Sequence, residues 1–304
     1  MSIPKKKMLH DAISPCIISS SIILIVFFLL MSKKIGYERK DFNYRENNRK
    51  KKYLYPGLKV GIIMPAFNEE MAIGNTLERI PKDVSDKMDV IVVDDGSKDN
   101  TVEIAEKYET IIIRHPYNKG NGAAIQTGLQ YCKDHQYDIT IIIDADGQHD
   151  PKYIKDFVEP IVEEDYDYVI GNRFRYEYDM NTIKKVCSRV MSTLLSFILD
   201  QKISDPTMGF RALSWNVVKD LYCESNYSIT LEMLFKIVPY YRSCEIPIRI
   251  NQRLYGKSFI KLKKYFYKTL FSFIKFYMFP KIHRYTYRML KREFRRKVFY
   301  LIKT

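Results

Sequence analysis

The 304-residue chain is poor in cysteine, with five, and no two of them form a Cys-x-x-Cys pair. Cys16, Cys132, Cys187, Cys223 and Cys244 are odd in number and far apart, which speaks against a disulfide framework or a cysteine zinc site and for reduced thiols. Acidic residues are scarce at both ends. Residues 1–59 hold thirteen Lys or Arg against four Asp or Glu, and residues 253–304 hold sixteen against one, Glu293. The middle, 60–252, holds twenty-one against thirty-one, so the formal charge of +14 lies wholly in the flanks. No basic-aromatic stripe runs through that acidic middle, which argues against a nucleic-acid partner. Basic flanks suit an anionic lipid surface instead.

One stretch lacks charge altogether. Ala12 to Ser32 is 21 residues long, and a helix rising about 1.5 Å per residue over that length covers a hydrocarbon core of about 30 Å. Phe27-Phe28-Leu29-Leu30-Met31 offers no small-x-small cleavage site, so a membrane span fits better than a cleaved signal peptide. Residues 1–32 are therefore expected to be an anchoring segment with a transmembrane helix at about 12–32. The Lys/Arg excess that follows, from Lys33 to Lys52, places the C-terminal side in the cytoplasm. Residues 33–57 read as a basic linker ending at Pro56-Gly57. Near the other end, Lys261, Lys264, Lys268 and Lys275 fall within a sector of roughly 60° on a helix whose remainder is mostly aromatic and aliphatic. Residues 259–304 are expected to be basic amphipathic helices lying in a membrane interface.

Between 58 and 258 short β-branched runs alternate with helical patterns. The runs are Val60 to Met64, Val90 to Val93, Thr110 to Ile113, Ile139 to Ile143 and Tyr168 to Ile170; the helical patterns centre on 71–80, 99–108, 121–135 and 151–164. This rhythm predicts an α/β domain with a mostly parallel sheet flanked by helices. Ligands bind such sheets at the carboxyl ends of their strands. Polar motifs follow three of the runs: Pro65-Ala66-Phe67-Asn68-Glu69-Glu70, Asp94-Asp95-Gly96-Ser97 and Asp144-Ala145-Asp146-Gly147-Gln148. One acidic loop could be an ordinary solvated surface, but three at one sheet edge indicate a site. Asp144 and Asp146 can offer oxygens to Mg²⁺ or Mn²⁺, with Gln148 adding an amide oxygen, while His149 is expected to support them or face solvent. The segment Lys119-Gly120-Asn121-Gly122-Ala123-Ala124 is not a Walker A loop, yet it opens a helix where free N–H groups could meet an anion.

Together with Gly171-Asn172-Arg173-Phe174, Asp205-Pro206-Thr207-Met208-Gly209-Phe210-Arg211 and Arg253-Leu254-Tyr255-Gly256-Lys257-Ser258, these motifs resemble the family 2 glycosyltransferases of GT-A fold. Within them the chain is most similar to the dolichyl-phosphate mannose and glucose synthases. The resemblance implies that Pro65, Ala66, Phe67, Glu69, Val93, Asp94, Asp95, Lys119 and Ala145 hold the nucleotide-sugar. It implies that Asp144, Asp146 and Gln148 hold the metal. Arg173 and Arg253 would bind phosphate, and Arg253, Lys257, Ser258 and Lys261 would receive the acceptor phosphate. Two positions depart from the pattern: Phe67 stands where relatives carry Tyr, and Phe259 where they carry a Lys after the serine.

The implied reaction moves a sugar from a UDP- or GDP-linked donor to a polyprenyl phosphate. A phosphate monoester has a second pKa near 6 and needs no base to become a nucleophile. Consistent with that, Thr230-Leu231-Glu232-Met233 lacks the Glu-Asp pair that supplies a base to many hydroxyl-acceptor relatives, and no Gln-x-x-Arg-Trp follows. Glu232 reads as a residue that shapes the site, with a base role as the alternative. A transferase with a hydroxyl acceptor and an inactive membrane-bound sugar-nucleotide sensor are the competing functions.

Overall fold

The computed structural model describes residues 54–176, 182–226 and 228–251. The expected membrane span, nearly all of the linker, and the expected interfacial helices lie outside the described residues. The described residues fall into two compact units, one holding 182–204 and the other holding 54–176, 205–226 and 228–251. Among the described residues no helix is long and apolar enough to cross a membrane.

Among the described residues seven strands form one sheet: β1 (Lys59–Ala66), β2 (Lys87–Asp94), β3 (Ile111–Arg114), β4 (Ile139–Ile142), β5 (Tyr168–Asn172), β6 (Arg211–Ser214) and β7 (Ser243–Pro247). The helices are α1 (Ile73–Glu78), α2 (Thr101–Ala105), α3 (Asn121–Asp134), α4 (Ile154–Glu163), α5 (Thr182–Leu199), α6 (Trp215–Val218) and α7 (Ile229–Ile237). Of these, α5 belongs to the first unit. It ends in a turn where the Ser196 hydroxyl accepts from the Ile203 N–H at 2.9 Å, and the Ser192 hydroxyl donates to the Ile203 carbonyl at 2.6 Å.

The sheet order is β3-β2-β1-β4-β6-β5-β7. Only β6 runs against its neighbours, so the expectation of a mostly parallel α/β sheet of GT-A type holds. All five strands read from β-branched runs are present. Strands β6 and β7 are not among the β-branched runs, because their sequences Arg-Ala-Leu-Ser and Ser-Cys-Glu-Ile-Pro carry too few apolar residues in too short a span to show a period. In β1, Val60 to Ala66 are buried without a break, which means that both sheet faces are covered. Each fully buried aliphatic side chain there contributes about 1.5–3 kcal/mol. Helix α3 crosses β1 closely enough that a Cβ on Gly128 would stand 2.4 Å from Ile63 Cγ2.

Chain direction fixes the place of the site. From β1 the chain moves to β2 and β3 on one side, while β4 lies on the other, so the connections diverge between β1 and β4. A crevice at the carboxyl ends follows from that divergence. The three polar motifs emerge at this edge, after β1, β2 and β4.

Candidate active site

The loops after β1 and β2 are tied to each other. Asn68, at φ 54, donates its N–H to Ser97 Oγ at 2.9 Å and accepts from the Lys98 N–H at 2.9 Å. The Glu69 N–H goes to Thr101 Oγ1 at 2.8 Å, and the Glu70 carboxylate receives the Asn100 N–H at 3.1 Å. Asn is among the few residues that accept a left-handed backbone at low cost. These bonds hold Phe67 and Glu69, both half-buried, on a braced edge.

Among the expected nucleotide residues, Pro65, Ala66 and Val93 are buried at strand ends, and Ala145 is buried in the loop after β4. Asp94 is wholly buried. Its Oδ1 accepts the Ser97 N–H at 3.0 Å, and its Oδ2 faces Arg114 Nε at 3.1 Å, an ion pair off line for a hydrogen bond. These contacts make Asp94 a brace for the loop after β2, on the same side of the pocket it is expected to support. Asp95 accepts from three donors: His115 Nδ1 at 2.7 Å and the Lys119 N–H at 2.9 Å on Oδ1, and the Gly120 N–H at 2.7 Å on Oδ2. A carboxylate has about four acceptor sites.

These bonds correct the reading of Lys119–Ala124 as an open anion site. The anion at this helix start is the chain's own Asp95, and the Gly122 N–H is taken by the Asn226 carbonyl at 2.9 Å. A Cβ on Gly122 would stand 2.1 Å from the Ser225 carbonyl oxygen, so only glycine lets the two segments meet. The Lys119 side chain is exposed, its Nζ 5.8 Å from the centre of the Tyr117 ring. Glu232 is fully buried and accepts the N–H groups of Glu224 and Ser225, each at 2.8 Å, with Lys236 Nζ 2.8 Å from Oε1. It holds the 224–226 loop against α3, as a shaping residue does, and is not placed as a base.

After β4 the chain is pinned by the Ile143 N–H on the Ile63 carbonyl at 3.0 Å. The Asp144 side chain is 31% exposed, and Asp146 is also part-exposed. Asp146 Oδ1 accepts the Gln148 N–H at 3.0 Å, and the Asn251 N–H reaches the Gln148 carbonyl at 2.9 Å. A Cβ on Gly209 would stand 2.6 Å from Asp144 Oδ2, so the Asp205–Arg211 motif presses its one bare backbone position against this carboxylate. His149 is buried beside it, Nδ1 3.5 Å from Asp144 Oδ2 and 3.4 Å from the Asp144 nitrogen, whose N–H it accepts weakly. Burial pushes the ring down to about 4 against the pull of Asp146, with Arg173 pushing the same way as burial and Asp205 opposing it. The expectation that His149 supports the aspartates stands, and its alternative of solvent exposure does not.

Arg173 is placed differently from its expected role. Its Nε and Nη2 grip the buried Asp205 at 2.6 and 3.0 Å, and Nη2 also donates to Thr207 at 3.0 Å. This fork fits a carboxylate bidentately. Arg173 thus enters the site as the partner of a buried aspartate, and a phosphate role is not what these contacts present. Arg211, also buried, donates to the Met208 carbonyl at 2.7 Å and the Pro206 carbonyl at 3.0 Å, fixing the same loop from behind. Arg253, Lys257, Ser258 and Lys261 lie outside the described residues. His115, Thr101, Asp205 and Gly209 were not read as functional. The last two sat in a quoted motif, but nothing in their spacing told which neighbours they would meet.

Among the described residues no three His, Cys, Asp or Glu side chains gather as a metal cluster. Two part-exposed carboxylates fit Mg²⁺ or Mn²⁺ shared with substrate oxygens, since such ions often take one or two protein carboxylates and complete their shell with phosphates and water.

The model of the family described as Glycosyl transferase family 2 matches residues 61–222, just over half of the chain. The chain is 33% identical over 180 residues to the UDP-N-acetylglucosamine–dolichyl-phosphate N-acetylglucosaminyltransferase of Methanococcus voltae, covering 53% of this chain and 71% of that protein. It is 30% identical over 249 residues to a dolichol-phosphate mannosyltransferase of Pyrococcus furiosus, covering 78% of this chain and 65% of that one. Among solved structures, glucosyl-3-phosphoglycerate synthase from Mycobacterium tuberculosis, in complex with Mn²⁺, UDP and glucosyl-3-phosphoglycerate, superposes with a TM-score of 0.59 at 19% identity. That likeness covers 72% of this chain and 80% of that one, and it speaks for the fold alone. A GT-A-like sheet with acidic loops at its carboxyl edge and a family match across that edge lead to one conclusion: the chain belongs to glycosyl transferase family 2 and is a glycosyltransferase.

Proposed function

We propose that this enzyme transfers a sugar from a UDP- or GDP-linked donor to a polyprenyl, dolichyl-type phosphate at the cytoplasmic face of a membrane, with inversion at the anomeric carbon. The observation that carries this reading is the pair Asp144 and Asp146, part-exposed at the end of β4 and one strand away from the loop of β1. That arrangement suits a donor with its base near Asp95 and Glu69 and its diphosphate near the aspartates. The names of the two archaeal relatives support the lipid-phosphate acceptor.

Bound by Asp144, Asp146 and Gln148, Mg²⁺ or Mn²⁺ would supply positive charge to the departing nucleoside diphosphate. The residues do the rest. Glu69 and the remaining acceptor site of Asp95 orient the nucleoside, and Gly209 with His149 keeps Asp144 in place. An oxygen of the acceptor phosphate attacks the anomeric carbon, a new C–O bond forms, and the bond from that carbon to the diphosphate oxygen breaks. The acceptor needs no protein base, because a phosphate monoester is largely ionised at neutral pH. Arg253, Lys257, Ser258 and Lys261 would meet the acceptor phosphate. Asn251, two residues before Arg253 in sequence, is hydrogen-bonded to the Gln148 carbonyl. Anchoring by residues 12–32 and the basic tail would keep the lipid headgroup level with the site, and such proximity removes several kcal/mol of barrier.

The test is a screen of labelled nucleotide-sugars against a short polyprenyl phosphate, with Mg²⁺, Mn²⁺ or chelator. Label that extracts into organic solvent and is released by mild acid is expected. Label appearing in polysaccharide instead would overturn the acceptor assignment.

A further inference from the structure

His115 lies in none of the motifs that carry the reaction, yet it is buried between two of them, 6% exposed, at the end of β3. Its Nδ1 stands 2.7 Å from Asp95 Oδ1, and its Nε2 stands 2.9 Å from the hydroxyl of Thr127 on α3. The two contacts lie on opposite sides of one ring. Three elements, the ends of β2 and β3 and the body of α3, are thereby joined through a single side chain. A carboxylate only accepts, so Nδ1 carries the proton, and a hydroxyl can answer Nε2 in either sense. The main-chain N–H of His115 is held as well, by the Asp94 carbonyl at 2.8 Å, so backbone and ring are both fixed.

The consequence falls on Asp95. Oδ1 is filled by His115 and the Lys119 N–H, while Oδ2 takes only the Gly120 N–H. Without the imidazole the carboxylate could turn about its last torsion, since its two remaining donors lie on adjacent residues of one loop. With the imidazole, Oδ1 is committed inward and the unused lone pair of Oδ2 points in one direction. We infer that the Thr127–His115 pair is a positioning device that aims this lone pair at the nucleobase and so makes the site select bases with a ring N–H. Uracil and guanine present such a donor. Cytosine and adenine present a bare ring nitrogen there, which would face the carboxylate lone pair to lone pair. A buried acceptor left facing another acceptor is a strong basis for rejection.

This inference rests on the proposed nucleotide site beside Asp95, and the experiment separates the two. Binding of UDP and CDP, and of GDP and ADP, is measured by calorimetry with the full-length protein in detergent and Mn²⁺ present. Wild type is expected to prefer UDP to CDP, or GDP to ADP. His115→Ala should lower that preference about tenfold, equivalent to about 1.4 kcal/mol. His115→Asn, whose side-chain amide can replace the Nδ1–H donor, should restore most of it. Thr127→Val, nearly isosteric, should lower it in part, and it serves as the test if His115→Ala does not fold. A wild type that binds none of the four nucleotides removes the nucleotide site and this inference with it. A wild type that discriminates while all three variants keep its ratio leaves the site intact and overturns the role of His115 alone. Equal loss in His115→Ala and His115→Asn, tracking a fall in melting temperature, would likewise reduce the ring to packing.

Discussion

Gly209 touches the carboxylate on which the proposed chemistry depends, and it does so by lacking a side chain. A methyl at that position would meet Asp144 Oδ2 at 2.6 Å, so Gly209→Ala must turn the carboxylate or move the loop. Metal-dependent turnover should fall about ten- to a hundredfold, as is usual when the support of a metal ligand is disturbed. Steady-state rates across a Mn²⁺ titration would check it, and an unchanged metal dependence would count against Asp144 as a ligand. Arg173 offers a sharper choice. Its removal leaves Asp205, wholly buried, without its bidentate partner, so Arg173→Ala should cost about 3–5 kcal/mol in denaturant unfolding. Full stability with lost activity would restore the phosphate role read from sequence. The described cysteines make a third case. Burial pushes the Cys132 and Cys223 thiols up to about 12 and raises that of Cys244, so none carries much thiolate at pH 8. Alkylation followed by peptide mapping should find these three modified only after unfolding, and labelling in the native protein would contradict their burial.

At the level of elements, the site is assembled by loops that carry one another. The start of α3 is held by Asp95 on one side and by the 224–226 loop on the other, and that loop hangs from Glu232 on α7. Glu232→Ala would take from the Glu224 and Ser225 N–H groups the carboxylate that accepts them and so loosen the 224–226 loop. The expected result is lower stability and faster proteolysis between Tyr222 and Ser228. Glu232→Gln separates shape from chemistry: retained turnover fits the bracing role, whereas a stable but inactive protein would make Glu232 the base after all. Periodicity revealed β1 to β5 and the helices between them because their apolar residues repeat over spans long enough to count. It could not reveal β6, whose four residues enter the sheet against the direction of their neighbours and are placed by pairing with β4 and β5.

For the whole molecule, the charge division predicts two modes of membrane attachment. If residues 12–32 span the bilayer, the protein should stay in the membrane pellet through both high salt and an alkaline carbonate wash. Release by salt alone would leave only the basic flanks as the attachment, because surface attraction is screened within about 10 Å at 0.1 M salt. The sequence by itself determined the α/β class, the sheet edge that bears the acidic loops, the candidate aspartates and the family, because those depend on residue type and local order along the chain. Tertiary structure alone decided what each side chain meets. It turned Arg173 toward Asp205, closed the α3 start with Asp95, brought Gly209 onto Asp144 and set His115 between Asp95 and Thr127. A buried polar group takes whichever partner the packing of distant segments delivers, and no spacing along the chain encodes that partner.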